Sequence, residues 1–165
     1  MTKAPDFDAV AAHRYFAAQC FNRSWTLIEK SERTEEEDEQ LIALGHASFW
    51  HWTQRADCAP ANMSVAHWLL SRIYALVGNV AQARRYAASC LAVSERGEVA
   101  PLFVGFAHEA LARAALLARD QQAAEGYLER AQELTSKVDD EEDRRNLQHD
   151  LDALRSLLEL TAPRE

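Results

Sequence analysis

The chain's six histidines are its side chains best suited to bind a metal or move a proton, but their spacing supports neither role. They are His13, His46, His51, His67, His108 and His149. His46 and His51 are five residues apart, which places them about 140° apart around a helix. A single helix chelates a metal best with histidines at i and i+4. We therefore predict no metal site and no other cofactor.

The three cysteines offer no obvious nucleophile. Cys20 and Cys90 fall on apolar faces of predicted helices, as small core residues do. Cys58 lies in a predicted loop, and no neighbour in sequence would activate its thiol. The nucleophile elbow Gly-x-Ser-x-Gly and the glycine-rich nucleotide-binding motifs are absent from the sequence. Since no catalytic residue can be named, we predict that the protein is not an enzyme.

The densest aromatic stretch is Phe49-Trp50-His51-Trp52, which follows His46. Its rings point in several directions around a helix, and a helix that is apolar on most sides is usually central in its fold. The other interpretation is a pocket for a small aromatic or apolar ligand. The protein would then be a small-ligand-binding or enzymatic helical bundle. The pocket would be lined by His46, Trp50, His51, Trp52 and His108, with Trp68 beside them.

Composition narrows the class of partner. Asp and Glu number 26 against 18 for Lys and Arg, which gives a net charge of −8. Binding to nucleic acid or to an anionic membrane needs a cationic face, so we expect neither partner. An odd number of cysteines fits a reducing cytoplasm. The use of 15 arginines against three lysines fits a GC-rich, bacterial genome.

Helical periodicity extends along the chain and predicts seven helices and no strand. Thr34 and Glu37 form a capping-box pattern, which predicts the start of helix 2. Pro60 and Pro101 favour the first turns of helices 3 and 5. Gly78 suits the end of helix 3, because glycine tolerates a left-handed backbone. The short links that follow helices 3 and 5 force antiparallel hairpins.

Helices 3 and 4 repeat as helices 5 and 6 with an offset of 41 residues. The aligned pairs are Leu70 with Leu111, Ser71 with Ala112, Ala83 with Ala124, Ala87 with Leu128 and Cys90 with Ala131. Small residues recur where two helices would cross closely. A repeat of this kind buries a continuous core by stacking its units.

The first unit resembles a tetratricopeptide repeat. The positions that match the family's small residue, tyrosine, turn glycine and second-helix alanine are Ser71, Tyr74, Gly78 and Ala83. The second unit departs from this pattern, since Ala115 replaces the tyrosine and Arg119 the turn glycine. The family's period is about 34 residues, so the larger offset here requires a longer loop, which we place at residues 95–100.

This resemblance implies one all-α domain over residues 1–165. Antiparallel helical hairpins would stack as a right-handed array of about seven helices. Two repeat units would occupy residues 63–137, an N-terminal helix pair residues 6–56, and a C-terminal capping helix residues 140–161. In the family, the first helix of each pair lines a groove that holds a peptide or a partner helix.

Carried over by position, the predicted groove contains Trp68, Arg72, Phe106, Glu109 and Arg113. Trp68 and Phe106 would anchor apolar groups, and the two arginines would bind a carboxylate. The resemblance thus implies a cytoplasmic protein–protein interaction module or adaptor. Two alternatives stay open. In the first, Arg72 pairs with an acid of the chain, and Trp68 and Phe106 belong to the core. In the second, the chain forms a homodimer through helix 1 or helix 7.

Overall fold

A computed structural model describes residues 6–161, which form seven α-helices and contain no strand. The helices are α1 (Ala9–Ile28), α2 (Glu35–Thr53), α3 (Pro60–Leu76), α4 (Val80–Arg96), α5 (Pro101–Leu117), α6 (Gln121–Thr135) and α7 (Glu141–Thr161). The predicted all-α fold is therefore confirmed, while residues 1–5 and 162–165 of the predicted domain lie outside the described range. None of these helices is both long and apolar enough to cross a membrane.

Local chemistry explains where the helices begin. The Thr34 side chain accepts a hydrogen bond from the backbone N–H of Glu37, whose carboxylate accepts one in return from the backbone N–H of Thr34. This is the predicted capping box, and it fixes the start of α2. Pro60 and Pro101 are the first residues of α3 and α5, where the missing N–H of proline has no cost.

The turns after α3 and α5 share one backbone conformation although their residues differ. Gly78 has a φ of 76° and Arg119 a φ of 59°. Both values are left-handed, and glycine adopts that conformation more readily than arginine does. The next residues, Asn79 and Asp120, cap α4 and α6 with their side-chain oxygens. The second unit therefore keeps the turn without the glycine.

Hairpins stack side by side along the chain. Each helix packs against the next in sequence, and α3 also lies against α5, as α5 does against α7. Close packing depends on small residues at the crossings, and Ala83, Ala112 and Ala124 are completely buried. The Ser71 hydroxyl donates a hydrogen bond of 2.9 Å to the backbone carbonyl of Ala83 and so joins α3 to α4. The predicted stacked array is confirmed.

Two groups of buried side chains make up the core. One group is centred on Leu41, Leu69 and Ile73, and the other on Leu147 and Leu151. Phe106 packs against both groups. The seventh helix therefore contributes three completely or almost completely buried leucines to the core, Leu147, Leu151 and Leu154. It is an integral layer of the array.

Candidate binding groove

The five residues predicted to line a groove lie together on one side of α3 and α5. We call this side the groove face and define it by Val65, Trp68 and Arg72 of α3 with their counterparts Phe106, Glu109 and Arg113 of α5. The rings of Trp68 and Phe106 are in edge contact, with centroids 5.4 Å apart. The Trp68 indole Nε1 donates a hydrogen bond of 2.8 Å to the Glu109 carboxylate.

Glu109 is the centre of a buried polar network. Its side chain is 0% exposed, and a buried carboxylate is costly unless it is paired. Arg113 supplies the opposite charge, and its Nε donates to Glu109 Oε1 at 2.9 Å. Arg113 Nη2 donates to the same oxygen. The Trp68 indole satisfies the other oxygen, so both oxygens of the carboxylate have partners.

Arg72 is held by its own set of neighbours. Its Nη1 donates to Asp150 Oδ2 of α7 at 2.8 Å, and both side chains are largely buried. The guanidinium carbon also lies 5.3 Å from the ring centroids of Trp25 and Trp68. Cations at this distance are attracted by an aromatic ring. Arg72 therefore connects α1, α3 and α7 across the groove face.

The two arginines and two carboxylates balance one another's charge. Burial alone would lower the pKa of Arg113, but the charges of Glu109 and Asp150 and the hydrogen bonds to Glu109 raise it above its ordinary value. Each guanidinium thus already has a carboxylate of the chain itself. The prediction that Arg72 and Arg113 bind a partner's carboxylate must be revised, because Asp150 and Glu109 occupy that role.

Asp150 was missed by the sequence reasoning, which considered helix 7 as a cap or as a homodimer surface. Trp68, Glu109 and Asp150 are spaced by 41 residues on three successive first helices. Extending the offset of the first two units into helix 7 would have placed Asp150 level with Glu109. The same extension aligns His108 with His149. The internal repeat was therefore the signal that could have found this residue.

Three apolar clefts follow the groove face. The first, of about 210 Å³, is lined by Ser64, Val65, Trp68, Leu102, Phe103 and Phe106. The second, of about 200 Å³, meets the first at Val65 and is lined by Ala18, Phe21, Asn22, Trp52, Asn62 and Val65. The third, of about 270 Å³, lies beyond the ion pairs, and includes Leu76, Arg113, Leu116 and Leu157. Apolar clefts therefore flank the network on both sides.

The residues of the alternative pocket do not converge. His46 Nε2 lies 2.9 Å from the Tyr74 hydroxyl, between α2 and α3. His108 packs against Tyr127 of α6, with ring centroids 6.1 Å apart. Burial lowers the pKa of both histidines below the ordinary value, since desolvation disfavours the imidazolium. These two imidazoles belong to separate inter-helix contacts.

The remaining members of that predicted pocket lie elsewhere again. Trp50 is 53% exposed and contacts His51 on the outer surface of the α1–α2 pair. Trp52 lies under the guanidinium of Arg55, which is 3.9 Å from the ring centroid, and it also lines the second cleft. None of the three clefts along the groove face brings the five predicted residues together.

The cysteines provide no reactive site on this face. All three are free thiols. Cys90 is fully buried beside Ser64, and burial raises the pKa of its thiol to about 11. Burial also raises the pKa of Cys20 and Cys58. A raised pKa lowers the fraction of reactive thiolate at neutral pH. Within residues 6–161 no three His, Cys, Asp or Glu side chains are grouped as metal ligands.

Comparison of the chain with protein-family models, with curated proteins and with solved structures finds no match. The tetratricopeptide resemblance consequently stays a prediction based on the residues quoted above.

Proposed function

We propose that this protein is an interaction module of tetratricopeptide-like architecture that binds an apolar segment of a partner protein on the groove face. The observation that supports this function is the row of three apolar clefts along the first helices. Phe103 and Phe106 at the first cleft and Phe21 at the second are partly exposed aromatic residues. Partly exposed aromatic side chains of this kind are frequent anchors in protein interfaces.

Cleft size favours a peptide over a metabolite. Each cleft measures between about 200 and 270 Å³, whereas small-molecule sites usually enclose roughly 300–1,000 Å³. A row of small clefts suits the successive side chains of an extended or helical segment. Since the imidazoles and indoles of the alternative pocket do not share a cleft, the structure gives that alternative no support. The proposal concerns binding and assigns no catalytic step.

The ion pairs serve as the rigid floor of the proposed groove. Arg72 and Arg113 are satisfied by Asp150 and Glu109, so recognition would depend on apolar contacts at the clefts. The protein's net charge of −8 favours a partner whose anchoring segment is flanked by basic residues, because complementary charge speeds and orients association. We place this interaction in the cytoplasm, where three free thiols are stable.

Self-association is a second candidate, and a different surface supports it. Val10, Tyr15 and Phe16 of α1 and Trp50 of α2 are exposed large apolar side chains on the first hairpin. A terminal unit of a stacked array normally presents a polar outer face. Sedimentation over a range of concentrations tests this candidate. A concentration-dependent dimer that Phe16→Glu abolishes would support it, and a monomer at every concentration would remove it.

Selection from a random 12-residue peptide library tests the groove proposal. We expect the enriched peptides to share aromatic or aliphatic residues and to lose binding in Val65→Arg, since Val65 lines both the first and second clefts. Ala88→Arg is the matched control, because it adds the same charge at an exposed position of α4. Peptides that bind Val65→Arg as tightly as the unaltered protein would contradict the proposal. Circular dichroism of both variants confirms that the helices are retained.

A further inference from the structure

Aromatic rings form a continuous patch on the outer surface of the first hairpin. Tyr15 contacts Phe16, Phe16 contacts His51, and His51 contacts Trp50, with ring centroids 5.2, 5.4 and 4.9 Å apart. His13 packs on both Trp50 and His51, at 5.2 and 5.0 Å. Tyr15, Phe16 and Trp50 are 58%, 45% and 53% exposed. We call these five residues the hairpin patch.

The size of the hairpin patch suits one side of a dimer interface. An aromatic side chain has roughly 150–250 Å² of surface, so three such side chains that are half exposed present roughly 300 Å² to solvent. Val10 is 66% exposed and lies one turn before His13, so it extends the apolar surface. A standard interface buries roughly 800 Å² of each partner, a little over half of it apolar. The patch therefore provides most of the apolar area that a stable interface needs.

The distribution of charge favours a second copy of the chain as the partner. The net charge of −8 makes two copies repel each other, but α1 contains no Asp or Glu. Asp57, in the turn after α2, is paired with Arg14 of α1 at 3.4 Å. Two copies can therefore meet at this surface without bringing unpaired acids together.

The two ends of the array differ, and this difference selects the symmetry of the contact. The first hairpin presents the apolar patch, whereas α7 at the other end carries exposed charges that include Asp152 and Arg155. Stacking of the patch on α7 of the next copy would bury those charges. Pairing of patch with patch avoids this cost and gives a closed two-fold dimer.

A hydrogen bond between two histidines lies within the hairpin patch. The Nδ1 atoms of His13 and His51 are 2.9 Å apart, so one ring donates its Nδ1–H to the lone pair of the other. The bond survives one added proton but not two, because neither Nδ1 can accept once both are protonated. Two positive rings, with centroids 5.0 Å apart, would then repel each other. The rings must turn apart, which also breaks their contacts with Trp50.

The groups around the pair leave the histidines as the ones that respond to mild acid. Burial and, secondly, the charge of His13 lower the pKa of His51 below its ordinary value. The other charged or titratable side chains near the pair, on α1 or its N-cap and on the turn after α2, are Asp8, Arg14, Tyr15, Arg55 and Asp57. The hydrogen bond from Arg55 lowers the pKa of Asp57 to about 2, so Asp57 keeps its charge in mild acid. Arginine stays protonated throughout.

We propose that the hairpin patch joins two copies of the chain in a two-fold dimer, and that full protonation of the His13–His51 pair dissociates this dimer in mild acid. The inference rests on self-association, the second candidate above, and is independent of the groove face. Each copy gives up the second proton of its pair when the interface forms, so the Kd of the dimer rises as the pH falls.

The overall charge of the protein acts in the opposite direction. Protonation of the six histidines reduces the net charge of −8 and so weakens the repulsion between copies. Overall charge alone therefore predicts tighter association in acid. Weaker association in acid is specific to the histidine pair.

Sedimentation over a range of concentrations at pH 7.5 and 5.5 tests both parts of the proposal. We expect a dimer at pH 7.5 whose Kd rises by about tenfold or more at pH 5.5, while circular dichroism shows that the helices are retained. His51→Phe keeps an aromatic ring but cannot titrate, so its dimer should persist at pH 5.5, and His13→Phe should behave alike. His149→Phe is the matched control, because His149 is an exposed histidine on α7. Its dimer should dissociate in acid as that of the unaltered protein does.

The possible failures are distinguishable. A monomer at every concentration at pH 7.5 would contradict self-association and this inference together. A dimer whose Kd is unchanged or lower at pH 5.5 would contradict only the role of the histidine pair, as would acid dissociation of both His51→Phe and His13→Phe. Phe16→Glu should be monomeric at both pH values and should still bind peptides selected on the groove face.

Discussion

Replacement of Glu109 by alanine should destabilise the protein more than any comparable change at a surface acid. The variant would leave the Arg113 guanidinium and the Trp68 indole without their shared partner. Removal of one member of a buried ion pair typically costs about 3–5 kcal/mol. Arg113 is 19% exposed and feels the charge of Asp150, so water and this second acid partly compensate. We therefore expect a loss of about 3 kcal/mol in the free energy of unfolding.

Urea denaturation measures the loss directly, and thermal unfolding provides a second value. A loss of about 3 kcal/mol corresponds to a decrease in Tm of about 6–12 °C for a protein of this size. Glu133→Ala is the matched control, because it breaks the Arg130–Glu133 pair, whose side chains are 51% and 61% exposed. Such a surface pair contributes about 1 kcal/mol or less.

Removal of both charges distinguishes the proposed cause from simple loss of packing. Glu109→Met combined with Arg113→Met should cost less than Glu109→Ala alone, because no unpaired charge is left in the interior. A Glu109→Ala variant as stable as Glu133→Ala would refute the reasoning. The reasoning would also be refuted if the double variant were less stable than Glu109→Ala by the amount expected when the two side chains contribute independently.

Two further predictions concern packing and pH. Gly126→Ala should stabilise α6 by about 0.5–1 kcal/mol, since alanine favours a helix and its added carbon meets no atom within 4 Å. Gly105→Ala should instead cost about 1–3 kcal/mol, because its Cβ would lie 2.6 Å from the fully buried Leu147, and urea denaturation of both variants checks the contrast. Acid should also destabilise the fold, because burial lowers the pKa of four histidines from 6.5. These are His46, His51, His67 and His108. Below about pH 6.5 the unfolded chain binds protons that the folded chain does not. The free energy of unfolding is therefore constant above the pKa of the unfolded chain. It decreases as the pH falls from about 6.5 toward the pKa values of the folded protein. A Tm that is unchanged between pH 7.5 and 5.5 would contradict this prediction. The Tm of His67→Phe should decrease less over this range than that of the unaltered protein.

Local signals in the sequence predicted the helices well, because each signal depends on residues a few positions apart. Thr34 and Glu37 cap α2 without contacts from distant parts of the chain. Pro60 and Pro101 likewise favour the start of a helix through their own backbone chemistry. Stacking of α3 on α5 was also predictable, since the repeat of small residues requires close helix contacts. The position of Arg72 and Arg113 on one face followed from the same repeat.

Partners that come from distant parts of the chain could not be predicted in this way. Asp150 meets Arg72 only because α7 packs against α5 and extends the array by another layer. The contact between His13 and His51 depends on the depth at which α1 and α2 cross. Neither the spacing nor the composition determines such distances. The predicted carboxylate clamp failed for this reason, since the acids that satisfy the two arginines were already present elsewhere in the chain.

Mapping a selected peptide onto the isotope-labelled protein by NMR tests the groove proposal most directly. We expect the largest chemical-shift changes at Phe21, Val65, Phe103 and Phe106, which line the first two clefts. Changes confined to exposed positions of α4 and α6, such as Ala88 and Glu125, would contradict it, because the partner would then bind the second helices of the hairpins.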